Sequence, residues 1–177
     1  MRWLRGIGIA GLLMVIVLLG VGARGTGKVA PPDATGPQEA EVMSVLIEKR
    51  TDQPLVVLRG KRDKRQLVMV IGHGEARSIA IQLDGLTPPR PLTHDLFLTL
   101  FGRLKVTLKR VVITDLRNDI FYATVYLDTN GTEITVDSRP SDAIALAIRA
   151  KVPILVEDRV FEKSDSSREH PGTSPYF

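Results

Sequence analysis

Asp137-Ser138-Arg139-Pro140-Ser141-Asp142-Ala143-Ile144-Ala145-Leu146-Ala147-Ile148-Arg149-Ala150 holds the clearest helix start in this 177-residue chain. Proline suits a first helical turn, because the amide it lacks would have had no partner there. Ala143, Ile144, Ala147 and Ile148 then recur at the spacing of a core-facing stripe, which predicts a helix over 140–150. Short runs rich in Val and Ile flank it, at 133–136 and 152–156, and both predict strands.

Working outward toward the N-terminus, Asn130-Gly131 is the strongest hairpin signal in the chain. It joins the strand at 133–136 to one expected over 120–128, which Arg117-Asn118-Asp119 connects to another over 106–115. Within 106–115 the apolar phase slips from Val106 and Leu108 to Val111 and Ile113. A β-bulge near Lys109-Arg110, or burial on both faces beyond it, accounts for such a slip. Two helices are expected upstream. One covers 75–83, with Ala76, Ile79, Ala80 and Leu83 on one face and Gly85 closing it. The other runs from a Thr93 cap through Phe101, with Asp95 in its first turn and Leu96, Leu100 and Leu104 as its apolar stripe. Strands are expected at 42–49, 54–58 and 67–71, and a last helical turn or two at 158–163. Strands, two helices, more strands, then one helix and one strand do not alternate regularly. The order predicts an α+β domain: a mixed, largely antiparallel sheet covered by helices.

Outside that domain, expected over 41–163, the composition changes. Arg2 and Arg5 precede eighteen uncharged residues, 6–23, and Arg24 ends the run. A basic start, an apolar core and the small ending Val21-Gly22-Ala23 predict a signal peptide or a membrane anchor over 1–23. As a helix the run would be about 27 Å long, just enough to reach across a bilayer. Export, or anchoring in the cell envelope through residues 6–23, is the expectation. Residues 24–40 contain three prolines and predict a flexible linker, and 164–177 a disordered tail.

The composition removes several chemistries. Cysteine is absent, so disulfides, thiolate catalysis and cysteine-held zinc are excluded. Aromatic residues make up 5% of the chain, too few for a broad base-stacking platform. Arg2 and Arg5 supply two of the four net positive charges, so the remainder is nearly balanced. The basic run Arg59-Gly60-Lys61-Arg62-Asp63-Lys64-Arg65 is either a solvated hairpin loop or an arm that touches phosphates. No phosphate loop, nucleophile elbow or metalloprotease helix is present.

Two segments share a construction: Arg90-Pro91-Leu92-Thr93-His94-Asp95 and Arg139-Pro140-Ser141-Asp142. In each, arginine and proline lead into a helix start bearing hydroxyl and carboxylate groups. Capping alone explains Thr93, Ser138, Asp95 and Asp142. The arginines fit it less well, because their charge has the wrong sign for a helix N-terminus. An arginine there is better placed binding an anion beside the helix amides, or pairing with Asp137 or Asp142.

These two stretches, with Glu75-Ala76, Ser78-Ile79-Ala80, Phe121-Tyr122-Ala123 and Val152-Pro153-Ile154, resemble the successive motifs of the bifunctional nuclease domain family. One departure is Leu67-Val68-Met69-Val70-Ile71, where the family usually carries a proline-containing strand. The resemblance implies a domain that cleaves both DNA and RNA, with a homodimer as an assembly it allows. Phosphodiester hydrolysis with little sequence selectivity needs an activated water, neutralised phosphate charge and a protonated leaving oxygen. On that expectation His94, Asp95 and Glu75 are the catalytic candidates. Arg90, Arg139 and Ser141 would bind substrate, and Asp137 and Asp142 would hold Mg²⁺ or Mn²⁺. The competing expectation is a non-catalytic module that holds an anionic ligand or a protein partner. Convergence of the candidates on one cleft separates the two.

Overall fold

The structure is a computed structural model that describes residues 36–169. The expected membrane-directing segment at 1–23, and all but the end of the linker at 24–40, lie outside the described residues. The described chain runs β1 (Gln38–Glu48), β2 (Gln53–Gly60), β3 (Gln66–Val70), α1 (His73–Leu83), α2 (Thr93–Arg103), β4 (Val106–Arg117), β5 (Ile120–Thr129), β6 (Thr132–Ser138), α3 (Pro140–Ala150), β7 (Ile154–Val156) and α4 (Asp158–Glu169). No described helix is long and apolar enough to cross a membrane.

All seven strands form one sheet in the order β3-β2-β1-β7-β4-β5-β6. Every neighbouring pair is antiparallel except β4 with β7. The α+β expectation therefore holds. Because β6 opposes β5, β5 opposes β4 and β4 runs with β7, β6 and β7 point the same way. The helix α3 between them must cross β5 and β4, and it packs on both. That crossover carries the start of α3 from the sheet edge at β6 into the interior.

Local chemistry explains the joints. Asn118 and Asp119 both have positive φ, as do Asn130 and Gly131. Two central residues of that kind make the turn whose twist matches antiparallel strands. The phase slip in β4 is a bulge: Leu108 pairs with Leu127 and Arg110 with Tyr126, leaving Lys109 unpaired between them. A second irregularity follows at Thr114.

One hydrophobic cluster joins Val56, Leu58 and Met69 of the sheet to Ile79, Ile144, Val160 and Phe161 of the helices. Ala143, Ala145 and Ala147 are fully buried, and their small side chains let α3 lie close to its neighbours. Four expectations need correction. Leu96, Leu100 and Leu104 are exposed; α2 instead turns His94, Leu98 and Phe101 toward the core. The cap of α2 is not Thr93 but Leu92, whose N–H donates to Asp95 Oδ2 at 2.8 Å. The last helix continues past residue 163 to Glu169, with Ser164 buried, and β1 begins before 41 at a buried Gln38.

The basic run around 59–65 spends its charge inside the domain. Arg59 pairs with Glu41, Lys61 with Glu39, and Arg62 and Arg65 with Asp158 of α4. Asp63 accepts from Arg65 and from Gln38 Nε2 at 2.8 Å. Burial pushes its carboxyl up, but Arg65 and Gln38 outweigh burial and hold it down at about 2. A depressed carboxylate stabilises the fold above its unfolded value and loses that contribution as pH falls through the folded one. Wild type should therefore exceed Asp63→Asn by about 1–2 kcal/mol at neutral pH, with the gap closing between roughly pH 4 and 2. Melting temperatures of both proteins measured from pH 6 to pH 2 check this.

Candidate active site

A cleft of about 1080 Å³ opens where α1, α2, the edge of β6 and the start of α3 meet. Its wall is mainly apolar, from Phe97, Phe101, Val125, Leu127, Val136 and Leu146. Its polar residues come from four elements: Glu75, Arg77 and Ser78 from α1, His94 from α2, Asp137 from β6, and Asp142 from α3, with Arg139 just ahead of α3.

Five of these side chains form one continuous hydrogen-bonded chain. Ser78 Oγ lies 2.9 Å from His94 Nδ1, and His94 Nε2 lies 3.2 Å from Asp142 Oδ1. Arg139 donates from Nε to Asp142 Oδ2 at 2.7 Å and from Nη2 to Asp142 Oδ1 at 3.1 Å. The same Nη2 donates to Glu75 Oε1 at 2.7 Å. Ser78 and His94 are buried, whereas Arg139 is 64% exposed at the mouth. Asp142, and after it Glu75, raise the already high pKa of the Arg139 guanidinium, which therefore stays charged.

The ring tautomer follows from these partners. An ionised Asp142 can only accept, so His94 Nε2 carries the proton and Nδ1 of the neutral ring holds the lone pair. Ser78 then donates its hydroxyl proton to that lone pair. Glu75 reaches Arg139 by folding back over the residue ahead of α1. A Cβ added at Gly72 would lie 2.2 Å from Glu75 Oε2, so the missing side chain leaves room for the carboxylate.

Of the residues singled out from sequence, Glu75, His94, Asp137, Arg139 and Asp142 reach the cleft, and Asp95, Arg90 and Ser141 do not line it. Asp95 accepts from Leu92 N–H and from Arg149 Nε at 2.8 Å. Burial raises its pKa, but those two donors outweigh burial and keep it below the ordinary value. Arg90 is exposed, and Ser141 is buried in the first turn of α3.

Sequence reasoning missed two residues that the cleft depends on. One is Ser78, a polar residue among the apolar positions of α1. The other is Arg149, whose side chain is 4% exposed. It donates to Asp95, to Ala145 O and to Ser78 O, the last two at 3.0 Å. The signal for Arg149 was its place seven residues beyond Asp142, which sets both on one face of α3.

The two carboxylates expected to hold a metal, Asp137 and Asp142, both line the cleft. Among the described residues no group of three Asp, Glu or His side chains could hold an ion. Glu75 and Asp142 are both engaged by Arg139, and Asp137 shares no partner with them. As arranged, the residues do not fit a prebuilt Mg²⁺ or Mn²⁺ centre.

Comparison with known proteins agrees with the motifs that surround the cleft. The family model described as "Bifunctional nuclease domain" matches residues 56–169. An uncharacterized protein of Mycobacterium tuberculosis is 42% identical over 126 residues, which are 71% of this chain and 75% of that one. A rice protein, "Bifunctional nuclease 1" of Oryza sativa subsp. japonica, is 37% identical over 103 residues, 55% of this chain and 31% of that one. The "Bifunctional nuclease" of Oryza minuta matches to the same extent.

Proposed function

We propose phosphodiester cleavage in the cleft from one premise: the chain belongs to the bifunctional nuclease domain family. The observation that carries the proposal is the state of Arg139. Its Nε and Nη2 are spent on Asp142 and Glu75, while Nη1 keeps both N–H groups free of partners among the described residues. An exposed guanidinium edge locked by two carboxylates is pre-aimed at a non-bridging phosphate oxygen. Behind it His94 and Asp142 form a proton-handling pair. The imidazole takes a proton at Nδ1 as the attacking oxygen loses it, Asp142 stabilises the imidazolium, and the proton then passes to the leaving sugar oxygen. No step is routed through a metal. Nucleic acid, DNA or RNA, is the substrate class, and the apolar wall from Phe97 to Val136 would hold the body of a nucleotide. With residues 1–23 as an export or anchoring segment, that nucleic acid would lie in the cell envelope or outside it.

The charges of the cleft limit how it can grip a polyanion. Glu75, Asp137 and Asp142 oppose only Arg77 and Arg139. A groove that tracks a long backbone would be strongly basic; this one is built to hold one or two phosphates. Binding of oligonucleotides to the full-length protein should weaken with salt along a log–log slope of about −1 to −2. The test combines that titration with cleavage of single- and double-stranded DNA and RNA, in Mg²⁺, in Mn²⁺ and in chelator. Cleavage lost in Arg139→Ala supports the proposal. Tight binding without cleavage in any condition would instead favour the non-catalytic module.

A further inference from the structure

Resting on that reading, we infer that Ser78 is the nucleophile of the cleft and passes through a phosphoserine intermediate. The inference follows from where protons can go. Asp142 holds the protonated Nε2 of His94, so the only basic nitrogen of the ring is Nδ1. That nitrogen is capped by the Ser78 hydroxyl at 2.9 Å. In the free protein the proton that His94 accepts therefore comes from Ser78 Oγ. A hydroxyl, an imidazole and a carboxylate joined in series by hydrogen bonds are the parts of an activated-serine site, recognised by geometry and role.

The surroundings favour this use over a purely structural hydrogen bond. Ser78 and His94 are buried yet line the cleft, so the pair sits at its wall and is screened from bulk water. Every member is held from behind. Arg149 fixes the Ser78 backbone through its carbonyl oxygen, and Arg139 fixes Asp142 through two bonds. The free edge of Arg139 supplies the charge that a pentacoordinate phosphorane requires.

The step balances. Ser78 Oγ attacks phosphorus as its proton moves to His94 Nδ1, the Oγ–P bond forms and the bond from phosphorus to the sugar oxygen breaks. His94 returns the proton to that leaving oxygen. Water then attacks the phosphoserine, its proton goes to His94, the Oγ–P bond breaks, and Ser78 recovers its hydrogen. Nothing is oxidised or reduced, and no co-reactant besides water is consumed.

The test has one arm that requires no variant of Ser78. Full-length wild-type protein is treated with a fluorophosphonate probe and the adduct located by peptide mass spectrometry. Labelling is expected on Ser78, with a rate that falls about 100-fold or more in His94→Gln. In the second arm Ser78→Ala, with its melting temperature recorded, should lose about 10³-fold or more of cleavage while still binding oligonucleotide. No label on Ser78, or less than roughly tenfold loss in Ser78→Ala, overturns the inference. If Ser78→Ala cleaves normally while Arg139→Ala is inactive, the serine assignment fails and the nuclease reading stands. If Ser78 is labelled but wild type cleaves no nucleic acid, the nuclease reading fails and the nucleophile stands.

Discussion

Replacing Arg149 with methionine should lower the unfolding free energy by about 1–3 kcal/mol, because it removes three donors from an enclosed site and leaves a part-exposed Asp95 without its cation. For a domain of this size that is a fall of roughly 4–12 °C in melting temperature. The side chain is almost wholly enclosed, so its charge is tolerated only because its donors are matched: Nε to Asp95, Nη1 to Ala145 O and Nη2 to Ser78 O. Methionine fills much of the volume and supplies none of those donors. Asp95 would keep its Leu92 N–H but lose its cation, and the Ser78 carbonyl, already bonded within α1, would lose its second donor. Those partners belong to α1 and α2, so the loss should loosen the three-helix junction as well as one contact. Urea unfolding of wild type, Arg149→Met and the double variant Arg149→Met/Asp95→Asn measures it. The double variant should recover part of the loss, because it removes the stranded carboxylate charge.

The same residue shows how far a single sequence could be read. The α+β order, the hairpin at Asn130-Gly131 and the bulge at Lys109 were legible, because each follows from local steric or period rules that tertiary packing did not oppose. The face of α2 was not. Leu96, Leu100 and Leu104 form an apolar stripe as regular as the true one, and only the position of α3 and the sheet decides that Leu98 and Phe101 turn inward. The site was half legible for a similar reason. Glu75, His94, Asp137, Arg139 and Asp142 stand out as polar residues in helix-start motifs, and the fold brings all five to one cleft. Asp95 stood out equally. Its neighbour His94 faces the cleft while it faces Arg149, a difference of one helical position that no spacing rule assigns without knowing what lies on each side. Ser78 carries no local signature, and Arg149 only its place on the Asp142 face of α3, because a serine or an arginine inside a helix is ordinary until its partner is known.

That one-residue difference gives the largest expected effect on activity. His94→Gln should reduce kcat for phosphodiester cleavage by about 10²–10⁴-fold, the usual contribution of a positioned acid–base group, with little change in KM. Glutamine can still span part of the gap between Ser78 and Asp142, but its amide has no lone pair able to take a proton at neutral pH. Substrate contact rests on Arg139, which the substitution leaves bound to Asp142 and Glu75. Asp95→Asn should do the reverse. It weakens the pair with Arg149 and costs stability, while kcat per folded molecule stays within about threefold of wild type, since Asp95 does not itself line the cleft. Steady-state kinetics of the two variants, each corrected for its folded fraction from a melting curve, separates these roles. Equal losses of kcat would mean that Asp95 acts in the chemistry, and the division between a reacting His94 and a supporting Asp95 would have to be given up.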